Sequence, residues 1–132
     1  MVEKSYLKFA SEALTNCSVS ADGATVLLGF KDSKGRDASL ELPLAQAGSL
    51  AMTLPSLIEH AVRRHFRDSS LRYSYPLESW QIERSSDPET GMVTLRTKDG
   101  FSVCFSMPVA LQSDLGHALT SPPQIDAPTL AN

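Results

Sequence analysis

The chain lacks nearly every pattern that announces a chemistry. It has no Gly-rich phosphate loop, no Gly-x-Ser-x-Gly elbow, no Cys-x-x-Cys, no His-Glu-x-x-His and no EF-hand spacing. Phosphate cradling, serine hydrolysis, dithiol redox work, a helical zinc site and a calcium loop are each left without their residues. Apolar runs are short as well. None approaches the 18 or so residues that a bilayer-spanning helix needs. The first residues carry Glu3 and no apolar stretch, so they do not read as a signal peptide. Positive charge is scarce: 12 Lys and Arg against 15 Asp and Glu give a net charge of −3. Such a balance gives no general attraction to nucleic acid or to an anionic membrane.

Cysteine and histidine are few. Two cysteines without an export signal point to reduced thiols and a cytoplasmic setting. The histidines are His60, His65 and His117. His60 and His65 are five positions apart, on different faces of a helix, which excludes a simple i,i+4 metal clip. No metal and no cofactor is expected, and no catalytic residue stands out.

What the sequence does have is a repeated phrase. "KDSKGRDASLELP" and "KDGFSVCFSMP" each read Lys-Asp, a glycine, an alternating stretch and a closing proline. Aligned on Gly35 and Gly100, the preceding stretches Thr25–Asp32 and Met92–Asp99 match if Ser33 and Lys34 are extra in the first copy. Downstream, Pro43, Ala45, Leu50 and Leu54 meet Pro108, Ala110, Leu115 and Leu119. Upstream, Cys17 and Val19 take the places of Trp80 and Ile82. Val26, Leu28 and Phe30 alternate with Leu27, Gly29 and Lys31, the period of a half-buried strand. Asp and Gly then supply a hairpin turn. Proline suits the first turn of the helix that follows, because its missing N–H would be unpaired there.

Each half therefore reads strand-strand-strand-helix. The expected fold is α+β: one antiparallel sheet of about six strands from two tandem β-β-β-α units, with helices packed on one face. The expected organisation is a single domain over residues 1–120, with halves at 15–67 and 78–120 and an irregular tail at 121–132. Residues 2–14 space their apolar side chains as a short helix would. Between Leu44 and Phe66, Pro55 predicts two abutting helices or one kinked helix.

The inward phase falls on Cys17, Trp80, Phe30 and Phe105, and Phe101 is also read as inward. Cys104 points outward as a modifiable thiol. The opposite sheet face shows Leu27, Gly29, Lys31, Ser39, Glu41, Thr94, Arg96, Ser102, Cys104 and Ser106. It is polar to mixed, with small side chains.

One charge pattern rises above background. His60, Arg63, Arg64 and Arg67 fall at i, i+3, i+4 and i+7, with Arg72 shortly after. These five are the candidate contact for an anion or an acidic partner. A Glu59–Arg63 pair on a solvated helix face accounts for part of the same pattern. Arg63-x-x-x-Arg67 is similar to the arginine pair of cyclic-di-GMP-binding PilZ domains, but the Asp-x-Ser-x-x-Gly that accompanies that pair is missing.

The leading expectation is a non-enzymatic protein-interaction or assembly module that binds an unidentified protein or a second copy of itself as a homodimer, without membrane contact. One alternative is a nucleic-acid-binding protein using the arginine stripe. The architecture resembles that of Whirly and purine-rich-element-binding proteins, and this resemblance implies single strands laid on the sheet. Base stacking needs outward aromatics, and the strand phase turns them inward. The other alternative is an enzyme with a site at the junction of the halves, using Tyr73, Tyr75, His65 and Arg72.

Overall fold

A computed structural model describes residues 4–121 and 129–131. Its elements follow the order β1 (Ala13–Val19), β2 (Thr25–Lys31), β3 (Asp37–Pro43), α1 (Leu44–Phe66), β4 (Arg72–Ser74), β5 (Leu77–Arg84), β6 (Thr90–Thr97), β7 (Ser102–Pro108), α2 (Val109–Thr120) and β8 (Thr129–Ala131). The class is α+β, and the β-β-β-α order occurs twice, as the repeat requires.

The strands do not form one sheet. β1-β2-β3 and β5-β6-β7 are separate antiparallel three-stranded sheets, and β4 pairs with β8 in parallel. Among the described residues, no strand of one three-stranded sheet pairs with a strand of the other. Hairpin-linked neighbours pair locally at small loop-closure cost, whereas nothing in the residue pattern names a partner across the halves. The chain divides into two compact units, Met1–Leu57 and Ile58–Asn132. The first holds β1-β2-β3, and the second holds β5-β6-β7 with α2.

Within their own frames the two sheets match without any gap. Gly35 and Gly100 are 65 positions apart, and the same offset relates the ladders. Cys17↔Leu28 becomes Ile82↔Val93, Asn16↔Gly29 becomes Gln81↔Thr94, and Phe30↔Ala38 becomes Leu95↔Val103. Turn bonds follow suit. Asp32 N–H donates to Arg36 O as Thr97 N–H donates to Phe101 O, and Leu44 N–H donates to Ala24 O as Val109 N–H donates to Glu89 O. The two-residue insertion is therefore corrected: Asp32 is equivalent to Thr97, and Cys17 is equivalent to Ile82 rather than to Trp80. Both tips turn on a glycine with positive φ, 78° at Gly35 and 89° at Gly100, which a side chain would resist.

The sheets differ where a bulge falls. In the first, the register shifts between Leu14 and Asn16; in the second, between Leu77 and Ser79. A Cβ on Gly29 would meet Thr15 Oγ1 at 3.0 Å, Asn16 Cβ at 3.2 Å and Asn16 N at 3.4 Å. The first bulge thus explains a glycine in mid-strand. Its counterpart Thr94 lies away from the second bulge and carries a side chain.

α1 runs through Pro55 as one helix of 23 residues. It ends on Arg67, whose φ is 53°. Asp68 N–H reaches Arg63 O at 3.0 Å and Arg67 N–H reaches Arg64 O at 3.3 Å, the paired bonds of a Schellman ending. At the shared offset, α2 stops at the counterpart of Pro55, so residues 56–66 of α1 have no equivalent in the second half.

Two further expectations are corrected. Residues 4–12 form no helix, because so short a segment is marginal alone and Ala13 and Leu14 are taken into β1. In the expected irregular tail, Thr129–Ala131 is a strand paired with Arg72–Ser74; its backbone bonds find partners there. Residues 122–128 and 132 lie outside the described residues. No described helix is long and apolar enough to cross a membrane.

Candidate interaction surface

Strand pairing sorts the side chains of each sheet into two faces. In the second sheet, Trp80, Leu95 and Val103 form one row across the three strands, and Ile82, Val93 and Phe105 form the next. Arg84, Gly91 and Met107 make a third. The reverse face carries Gln81, Thr94 and Cys104, then Glu83, Met92 and Ser106. In the first sheet the apolar rows are Cys17, Leu28 and Leu40, then Val19, Val26 and Leu42. The alternation read from the sequence holds on every strand.

Exposed side chains stand on these apolar rows. Among the described residues, no hydrophobic side chain is fully buried. Trp80 is 66% exposed, Ile82 60%, Phe105 49% and Leu95 37%. Cys17 is exposed as well, so it is not a core thiol, and both cysteines are free. Neither helix buries a side chain completely, although each was expected to pack on a sheet. α2 starts over one end of the second sheet. Its Gln112 amide fills the space where Gly91 has no side chain and donates from Nε2 to Met107 O at 3.3 Å. With 12 residues it spans about 18 Å.

Under that helix start lies an open hollow of about 670 Å³, lined by Ile82, Arg84, Ser85, Asp87, Pro88 and Gln112 among others. Ser85 Oγ accepts from Asp87 N–H at 3.2 Å there. Among the described residues, no group of three or more His, Cys, Asp or Glu side chains gathers to hold a metal.

The five basic candidates separate on inspection. Arg63 is half-buried and committed: its Nη2 donates to Glu59 Oε1 at 2.7 Å and its Nε donates to Leu71 O at 2.8 Å. It anchors the chain leaving α1. His60, Arg64, Arg67 and Arg72 are exposed. Arg67 also supplies the left-handed turn, and Arg72 lies in β4. All five fall outside the repeated segment. His65 meets Phe66 edge to face at 4.9 Å. Tyr73 and Tyr75 are edge to face at 5.2 Å, and Tyr75 stacks on Phe101 at 5.4 Å. Phe101 thus leaves the strand face that the sequence assigned it and packs at the hairpin tip.

The buried polar groups are structural. Asp32 is 7% exposed and Thr97 8%, at equivalent tips. The Asp32 carboxylate accepts from Lys34 N–H at 3.0 Å, Arg36 N–H at 2.8 Å and Arg36 Nε at 2.7 Å. Burial pushes its pKa up, and these bonds, those from Arg36 foremost, outweigh burial and hold it below the usual carboxylate value. The Ala24 N–H and the Ser20 hydroxyl lower Asp22; the Ser70 hydroxyl and N–H lower Asp68.

Sequence reasoning offered the polar sheet face to a partner and expected the apolar one to be packed under the helices, whereas Trp80, Ile82 and Phe105 are exposed. The signal was the length of the repeat. It ends at Leu54 and Leu119, while α1 continues to Phe66. No family model, no curated protein and no solved structure matches this chain.

Proposed function

We propose that this chain is a non-enzymatic assembly module whose working form is self-associated, a homodimer at the least. One observation carries the reading: the uncovered apolar surface. Trp80, Ile82 and Phe105 on the second sheet and Val19 and Leu40 on the first are exposed apolar side chains. A sheet with an open apolar face needs a covering layer to be stable. The two exposed free thiols suit a reducing compartment, the cytoplasm.

Sedimentation of the full chain across a wide concentration range tests this. A dimer or higher oligomer at micromolar concentration is expected. A monomer throughout, with native secondary structure, overturns it.

A second reading is contact with nucleic acid or an acidic partner. It draws on the exposure of His60, Arg64, Arg67 and Arg72, and on the outward aromatics Trp80 and Phe105. The net charge opposes it. Titration of labelled single strands, duplex and RNA at two salt concentrations tests it. An Arg64/Arg67/Arg72→Ala variant leaves the structural Arg63 in place. Salt-sensitive binding that the variant loses supports the reading, and no binding at low salt ends it.

A further inference from the structure

We propose that the second compact unit carries a site for single-stranded nucleic acid, in which Arg64, Arg67 and Arg72 hold phosphates and Phe101, stacked on Tyr75, takes an unpaired base. This rests on the second reading above and moves its base contact from the sheet to the hairpin tip. All of these residues lie in one unit, Ile58–Asn132. Three bonds close the turn from α1 into β4. Asp68 N–H donates to Arg63 O at 3.0 Å, Leu71 N–H to Asp68 O at 3.4 Å, and Arg63 Nε to Leu71 O at 2.8 Å. Arg64 and Arg67 stand before the end of that closure and Arg72 directly after it. Arg72 opens β4, and Tyr73 and Tyr75 follow, meeting edge to face at 5.2 Å. Tyr75 then stacks on Phe101 at 5.4 Å, with the ring planes 28° apart. A continuous path of contacts thus runs from the end of α1 to the tip of the β6–β7 hairpin.

Charge selects an anionic partner. From Arg63 to Tyr75 the chain holds four arginines and one acid, Asp68. Arg63 is committed to Glu59 and to Leu71 O. Arg64, Arg67 and Arg72 are exposed and, among the described residues, take part in no ion pair. The net charge of −3 belongs to the whole chain. It does not decide a contact here, because charges farther away than ~10 Å are largely screened at about 0.1 M salt. Exposed arginines at one turn are the local arrangement that phosphates require.

The rings select a strand with free bases. The sequence pattern turns Phe101 inward, which would leave no ring there for stacking. In the structure Phe101 is stacked on Tyr75 and still 53% exposed, so it has area left for a further ring. The bases of a duplex are already stacked on one another, whereas a single strand can lay a base on an aromatic side chain. An acidic peptide would satisfy the arginines and bring no flat ring to Phe101.

The experiment uses the full chain in four forms: wild type, Phe101→Leu, Arg64/Arg67→Ala, and Trp80→Leu on the sheet. Fluorescence anisotropy follows a labelled oligothymidylate of about 15 nucleotides, an abasic strand of the same length and a polyglutamate peptide, at about 50 and 200 mM salt. Wild type should bind the oligothymidylate more tightly than the abasic strand. Phe101→Leu should weaken the oligothymidylate ~10-fold and leave the abasic strand unchanged. Arg64/Arg67→Ala should weaken both at least ~10-fold and flatten the salt dependence. Trp80→Leu should bind as wild type does. The abasic comparison needs wild type alone, so it decides even if Phe101→Leu fails to fold. Equal binding of the two strands, or a Phe101→Leu protein that binds as wild type does, overturns the base site while the phosphate contact of the second reading stands. A loss in Trp80→Leu returns the base to the sheet and likewise overturns it. Polyglutamate bound as tightly as the oligothymidylate reassigns the patch to an acidic protein. No binding at low salt overturns both the site and the reading it rests on.

Discussion

The two β-β-β-α halves have the same backbone plan and different side-chain solutions. The Asp32–Arg36 tip is tied by three hydrogen bonds to one carboxylate, while Thr97 at the matching tip offers only a 3.5 Å contact from its hydroxyl to Phe101 O. Both tips nevertheless close with the same backbone bonds and a positive-φ glycine. At the other end, Ser20 and Asp22 recur as Ser85 and Asp87, and the carboxylates accept from Ala24 N–H and Glu89 N–H in the same way. Between them Gly23, with φ 73°, is replaced by Pro88, which has no N–H to donate. Gly23 N–H bonds Ser20 O, whereas the second turn closes through Thr90 N–H to Asp87 O. A repeat keeps the backbone path, then, and lets each copy satisfy its polar groups by different means.

Exchanging residues between the halves breaks this equivalence most strongly at Gly29. Gly29→Thr gives the first sheet the residue that the second has at Thr94, but the bulge at Thr15 leaves no room. A loss of about 2–3 kcal/mol is expected from chemical denaturation. The reverse exchange, Thr94→Gly, should cost only about 1 kcal/mol through backbone entropy. Equal losses would mean that the two bulges are misplaced.

The segment that only the first half has comes next. Arg63→Ala removes two hydrogen bonds from a half-buried guanidinium and should cost about 2 kcal/mol. Arg64→Ala, exposed one position on, should stay within about 0.5 kcal/mol. Thermal melts of the pair read this directly, and similar melting points would show that Arg63 is no anchor. At the end of the same helix the sign reverses. Arg67→Gly relieves a left-handed arginine and should raise stability by about 1 kcal/mol. A fall in stability there would assign the Arg67 side chain a contact of its own.

The smallest expected effect is on pH. Asp22, Asp32 and Asp68 all have lowered pKa values in the folded chain. A depressed carboxylate contributes stability above its unfolded value, about 3.9, and that contribution is lost as pH falls through the folded value. Denaturation midpoints should therefore be flat from pH 7 to about 5 and decline below about 4. Asp32→Asn should flatten part of that decline, a difference that acid titration by circular dichroism would resolve.

Much of this was legible in the residues. Period-two alternation assigned the strand faces, including Trp80, Ile82 and Phe105 to one side. Glycines at Gly35 and Gly100 placed the turns, and prolines at Pro43 and Pro108 placed the helix starts. The ungapped offset was also present in Ser20, Asp22 and Thr25 against Ser85, Asp87 and Thr90, three identities that the glycine-anchored alignment passed over. Arg63 was read as part of a free stripe because spacing on a helix says nothing about a carbonyl eight residues on. Leu71 O becomes its acceptor only when the chain turns back at Arg67.

The sequence by itself determined local matters: which residues pair within each meander, which face is apolar, and where the chain turns. These follow from the alternation of side chains and from backbone angles, interactions between near neighbours. Tertiary structure alone decided that the strands make two three-stranded sheets and not one of six, that Thr129–Ala131 joins Arg72–Ser74, and that neither helix buries a side chain completely. Those outcomes depend on pairing and coverage between distant segments. A hydrophobic pattern specifies that a face must be buried, but being non-directional it does not name what buries it.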